Sequence, residues 1–150
     1  MMYFDGSVMA PASRAGVVLI SLDKSRLRCT IRLHFLDSND AMEYEALING
    51  LCITVELGAM RMYVHSDSEL VVDQVMKESF YKSPFMAAYC QEVRKLEDKF
   101  RGIELHQVPR KDNDAADFLM KLAARRVPSP DGVFIIDLHE PSAHVLEDPI

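Results

Sequence analysis

Four carboxylates, Asp5, Glu43, Asp67 and Asp117, stand where one run of the chain gives way to another. In "YFDGS" (3–7), Asp5 follows two residues suited to a buried strand. Glu43 falls in the first turn of a helical pattern, and Asp67 lies where the short strand "MRMYVH" (60–65) gives way to a helix. Asp117 occupies the first turns of the last helical segment. In an open sheet, ligands collect beyond the carboxyl ends of parallel strands, so these acids can converge near Asp5. Four converging carboxylates cannot all stay ionised without cations, because like charges raise one another's pKa. Mg²⁺, hard and oxygen-seeking, is the natural neutraliser. Two such ions about 4 Å apart form a clamp for in-line phosphoryl displacement. Each acid also has a plainer explanation. Asp5-Gly6 suits a turn, and Glu43 favours a helix N-terminus, as Asp40 or Glu45 would equally. Asp67 in Ser66-Asp67-Ser68 suits a helix cap. Asp117 pairs with Lys121 as a solvated helix acid, with Asp114 competing for its role. Spacing alone leaves the two readings balanced.

The elements that must position these residues follow from periodicity. Residues 2–8 read as a strand, and "AGVVLISL" (15–22) as a strand covered on both faces. "RLRCTIRLHF" alternates, with Leu27, Cys29, Ile31, Leu33 and Phe35 opposite Arg26, Arg28, Thr30, Arg32 and His34. That is a half-buried antiparallel strand, completing a meander. A helix then runs from cap candidates Ser38, Asn39 and Asp40 to a stop at Gly58, with Tyr44, Leu47, Ile48, Leu51 and Val55 as its stripe. Ser66 and Glu69 have capping-box spacing for a second helix, and Ser83-Pro84 opens a third. "IELHQV" (103–108) is a fifth strand, and "NDAADFLMKLAARR" a last helix. The order β-β-β-α-β-α-α-β-α predicts an α/β fold with a mixed sheet. After Val127, "PSPDG" breaks the pattern. Residues 127–150 read as an acidic extension, loosely ordered, beyond a folded unit spanning 1–126.

The chain is 150 residues, 49% hydrophobic and 27% charged, as expected of one soluble domain. Cys29, Cys52 and Cys90 have neither disulfide-framework nor zinc-site spacing, which favours a reducing, intracellular setting. No apolar stretch is long enough to span a membrane, and the N-terminus lacks the pattern of a secretory signal. The net charge of −6 gathers in the tail, where Asp131, Asp137, Glu140, Glu147 and Asp148 face no Lys or Arg. Net charge therefore neither excludes a polyanionic ligand nor supports one.

The stretches "YFDGS", "AGVVL", "SNDAMEYEALINGL", "SDSELVVDQV", "MAAYCQEVRKLEDKF" and "VPRKDNDAADFLMKLA" resemble, in order and spacing, type 1 ribonuclease H domains. Specifically, they resemble the variant in plant gypsy-type LTR retrotransposon polyproteins. The resemblance implies a ribonuclease H-like fold, with a five-stranded mixed sheet in the order 3-2-1-4-5 and helices on both faces. It also implies a metal-binding catalytic tetrad of Asp5, Glu43, Asp67 and Asp117, since the family acid is the one in the Ala-Asp-x-Leu pattern. The implied reaction is two-metal hydrolysis of the RNA strand of RNA–DNA hybrids, with Mg²⁺ (Mn²⁺ as the alternative ion), leaving 5′-phosphate and 3′-hydroxyl ends. Implied substrate contacts are Gly6, Ser7, Ser38, Asn39, Asp40, Glu69 and Arg110. Asp40 and Glu69 replace residues that are usually uncharged, adding negative charge near a phosphate backbone. Arg110 stands in the loop where cellular relatives carry a histidine. The tail resembles a polyprotein spacer, so the implied partners include reverse transcriptase and integrase regions of a parent polyprotein. The competing reading is a catalytically weak or inactive nucleic-acid-binding module.

Overall fold

The computed structural model describes residues 1–9, 12–21, 25–34, 39–76, 84–122 and 133–143. Strands β1 (Met2–Met9), β2 (Ala12–Ile20) and β3 (Arg26–Leu33) precede helix α1 (Asn39–Glu56). Then come β4 (Arg61–Ser66), α2 (Glu69–Met76), α3 (Pro84–Glu97) and β5 (Gly102–Gln107). A 3-10 turn (Arg110–Asn113) leads into α4 (Asp114–Leu122), and β6 is Val133–Leu138. One sheet has the order β5-β4-β1-β2-β3-β6. The β1–β2 and β2–β3 pairs are antiparallel, while β1–β4 and β4–β5 are parallel. This is the expected 3-2-1-4-5 mixed sheet with one strand added outside β3.

The added strand comes from the tail, which the sequence reading placed outside the folded unit. Val133–Leu138 pairs in parallel with β3, from Arg28↔Val133 to Leu33↔Leu138. Prolines and acids around "VFIIDL" masked a short run of high strand propensity, and β3 offered it an unpaired edge.

Alternation along the strands feeds two cores. Met2, Phe4, Val17, Leu19, Ile31 and Leu33 pack in the main core with Tyr44, Leu47, Ile48 and Leu51 of α1. Each such side chain contributes about 1.5–3 kcal/mol through burial. On the opposite face, Val18 and Leu119 of α4 meet Tyr3, Ile20 and Val133. The Thr30 hydroxyl ties that layer down by donating to the Leu119 carbonyl at 2.9 Å. The continuous apolar run of β2 is thus covered on both faces, as its sequence predicts. Helix α1 is buried well beyond its apolar stripe, with Ala41 to Ile48 all inside. It ends at Glu56, and Gly58 two residues on, with a φ of 79°, lets the chain turn away. Among the described residues, no helix is long and apolar enough to cross a membrane.

Candidate active site

The two central parallel strands set the site. β1 and β4 pair only at Met2↔Val64 and Tyr3↔His65. Two residues beyond the last pair, on each chain, stand Asp5 and Asp67. They face each other where the strands part, the location at which open α/β sheets bind ligands. Asp5 does not begin a turn, because β1 continues through it to Met9. Asp67 does not cap α2 either. The cap expected from Ser66 is supplied by Ser68, whose Oγ accepts from the Val71 N–H at 3.4 Å. Ser66 is buried at the end of β4 and accepts from the Ser68 N–H at 3.1 Å. Two serines satisfy the backbone there, which leaves the Asp67 carboxylate for the cleft.

Glu43 arrives from the helical layer because Gly6 lets it. An added Cβ at Gly6 would lie 2.3 Å from the Met42 carbonyl oxygen and 2.9 Å from the Glu43 nitrogen. The backbones of β1 and α1 thus approach as only glycine permits. The Gly6 N–H donates to Glu43 Oε1 and Asp5 Oδ1, both at 3.0 Å. That amide, assigned from sequence to substrate, is engaged by the two acids. Carboxylate oxygens of Asp5, Glu43 and Asp67 all lie within 4.8 Å of one another. Asp117, from α4, is not one of that close group, but it stands near enough to raise the pKa of Asp5 through its charge and a hydrogen bond.

The electrostatics are those of closely crowded acids. Burial pushes Asp5 up to about 6, opposed by a hydrogen bond from Glu43 and reinforced by the charges of Asp67 and Asp117. Glu43 is pushed up further, to about 10, first by burial and then by its hydrogen bond to Asp5 and that residue's charge. The pair therefore retains protons in the fold that the unfolded chain releases at ordinary carboxylate values. The stability linked to it is fully present only below the ordinary carboxylate values and is lost as pH rises from there through the folded values. Metal-free protein should accordingly melt lower at about pH 8 than at about pH 5, and Mg²⁺ should raise the melting temperature more at the higher pH. Thermal melts at both pH values check this, and a Mg²⁺ effect independent of pH would contradict it.

The donor set fits a hard divalent cation. All its atoms are carboxylate oxygens, and Glu43 Oε2 is buried with no hydrogen-bond donor among the described residues. Arg110 Nε lies 3.3 Å from Asp67 Oδ2, with its own side chain 87% exposed. It holds the rim of the cluster rather than its floor. The rival acids lie elsewhere. Glu45 is fully buried against other partners, and Asp114 is exposed. Of the remaining substrate candidates, Glu69 is exposed at the start of α2 and Asp40 is half-buried at the start of α1. Ser7 and Asn39 are described only through their backbone in β1 and α1, and Ser38 lies outside the described residues.

Asn113 was not singled out from sequence. Its side chain, 1% exposed, donates to the Phe4 carbonyl at 2.8 Å. It pins the turn that leads to Asp117 onto the strand residue just before Asp5. The signal was available in "KDNDAAD", but an asparagine among acids reads as an ordinary loop residue.

A family model described as reverse transcriptase-like matches residues 3–123. The chain belongs to that family. Among relatives of this reverse transcriptase-like chain is a putative hydrolase, EbsB, of Enterococcus faecalis. The two are 28% identical over 118 residues, which is 77% of this chain and 86% of the relative. The fold matches ribonuclease H1 of the archaeon Halobacterium salinarum with a TM-score of 0.72 and 29% identity, covering 82% of this chain and 95% of that one. It also matches LC11-RNase H1, solved in complex with an RNA/DNA hybrid, at a TM-score of 0.71 and 24% identity over 83% and 98% of the two chains. The architecture is thus the α/β ribonuclease H fold, and the chain is a ribonuclease H-type enzyme.

Proposed function

We propose that this chain is an endonuclease that hydrolyses the RNA strand of RNA–DNA hybrids, with Asp5, Glu43, Asp67 and Asp117 as metal ligands. The observation that carries this reading is the meeting of Asp5, Glu43 and Asp67 oxygens within 4.8 Å, on a fold shared with ribonuclease H1 enzymes. Two divalent ions, Mg²⁺ or Mn²⁺, would activate water and stabilise the leaving oxygen there. The chain's own residues do the rest. Gly6 and Asn113 fix the ligand-bearing strand, and Ser68 keeps Asp67 free of capping duty. Arg110, exposed beside Asp67, is placed to meet phosphate at the rim. Water adds to the scissile phosphorus as the bond to the 3′-oxygen breaks, which leaves a 5′-phosphate and a 3′-hydroxyl. The ribose 2′-hydroxyl distinguishes RNA from DNA at such a site. Retroelement descent, with reverse transcriptase and integrase regions as neighbours in a parent polyprotein, belongs to the same proposal and rests on the sequence resemblance, with the reverse transcriptase-like family description as its one hint.

The test is cleavage of a hybrid labelled on its RNA strand, with duplex DNA of the same sequence alongside. With Mg²⁺ the RNA is expected to be nicked, the duplex spared, and EDTA to stop the reaction. Retention of hybrid without cleavage in either ion would replace this reading with the inactive binding module, to which Asp40 and Glu69 contribute added negative charge.

A further inference from the structure

Residues 133–143 are joined to the sheet and to the helix that carries Glu43, although they lie beyond the residues 3–123 that match the family. β6 zips along β3, and the His34 N–H continues the ladder by donating to the Leu138 carbonyl at 2.8 Å. The chain then reaches α1. The Ser142 N–H donates to Glu45 Oε1 at 2.7 Å, its hydroxyl donates to Glu45 Oε2, and Ala143 is buried in the main core. Glu45 has no exposed surface. Its other donors are the Tyr89 hydroxyl of α3, at 2.8 Å, and the Asn49 side-chain amide, at 3.4 Å. Among the described residues, half of the donor contacts to this carboxylate therefore come from Ser142. Glu45 is two residues from Glu43 on the same helix. A carboxylate stripped of donors in a dry site must admit water or leave its pocket. Either disturbs the turn of α1 that presents Glu43 to Asp5.

We propose that residues 133–143 act as a clasp that positions Glu43. Ser142, through the buried Glu45, fixes the first turns of α1 at the depth where Glu43 meets Asp5 and Asp67. Ser142 and Glu45 are positioning residues, and the inference rests on the reading of Glu43 as a metal ligand.

The test uses the full chain and Mn²⁺ alone, titrated calorimetrically at a temperature where circular dichroism shows every variant folded. Ser142→Ala is expected to weaken Mn²⁺ binding about 10-fold, the loss of one charge-assisted hydrogen bond. Ser142→Thr keeps both donors and should restore the parent value. Ser142→Cys, a weaker donor of similar size, should fall between and serves if the alanine variant does not fold. A clasp that only stabilises the fold would lower the melting temperature of Ser142→Ala and leave its Mn²⁺ midpoint at the parent value, which overturns the proposal. A parent chain that neither binds Mn²⁺ nor cuts hybrid overturns the nuclease reading and the clasp together. A parent that does both, with variants matching it, overturns the clasp alone.

Discussion

Asp67→Asn should reduce hybrid cleavage on the order of a thousandfold, about 4 kcal/mol of barrier, while leaving the protein folded. The asparagine keeps the shape of the side chain at the parting of β1 and β4 but removes one of three carboxylates held within 4.8 Å. Its effect on stability should have the opposite sign. Asp67 raises the pKa of both Asp5 and Glu43, so neutralising it relieves repulsion in the metal-free protein. The lost contact to Arg110 is too exposed to offset that relief. Metal-free melting temperature should therefore hold or rise, and the increase on adding Mg²⁺ should shrink. Steady-state cleavage rates and paired melts with and without Mg²⁺ measure both. A variant cutting at the parent rate would remove Asp67 from the centre.

Gly6→Ala should be the most damaging small substitution in the described chain. The new methyl would meet the Met42 carbonyl carbon at 2.5 Å and its oxygen at 2.3 Å. Both belong to the helix backbone, so no side chain can swing aside and α1 must lift from β1. A cost of about 3 kcal/mol or more is expected, at the upper end for overpacking. Lifting α1 also breaks the bond from the Gly6 N–H to Glu43, so activity should fall even in the fraction that folds. Gly102→Ala is the control, since its nearest neighbour is an Arg61 side-chain carbon at 4.0 Å. Its stability should stay within about 0.5 kcal/mol of the parent. Denaturant melts of the pair separate the two cases, and equal costs would contradict the close approach of α1.

Much of this was legible in the chain because the acids sit at element boundaries and the runs between them have clear periods. Continuous apolarity in β2, alternation in β3 and the stop at Gly58 each have one local cause. Contacts between distant segments were less visible. Ser66 and Ser68 are equivalent in composition, and only the length of β4 assigns the cap to Ser68. Glu43 and Glu45 flank the apolar stripe of α1 on opposite sides with nothing local to rank them, yet Glu45 is claimed by Tyr89 and Ser142 from far along the chain. The tail carried acids and prolines, which describe solubility better than pairing, so its strand on β3 was unreadable. The role of Gly6 was half legible. Its place beside Asp5 was plain, but the helix crossing it is a fact of packing.

Crystals grown with Mn²⁺ and measured for anomalous scattering address the centre itself. Two peaks enclosed by the carboxylates of Asp5, Glu43, Asp67 and Asp117 are the expected result. Mn²⁺ bound only at other surface acids, with these four side chains free of it, would contradict the account.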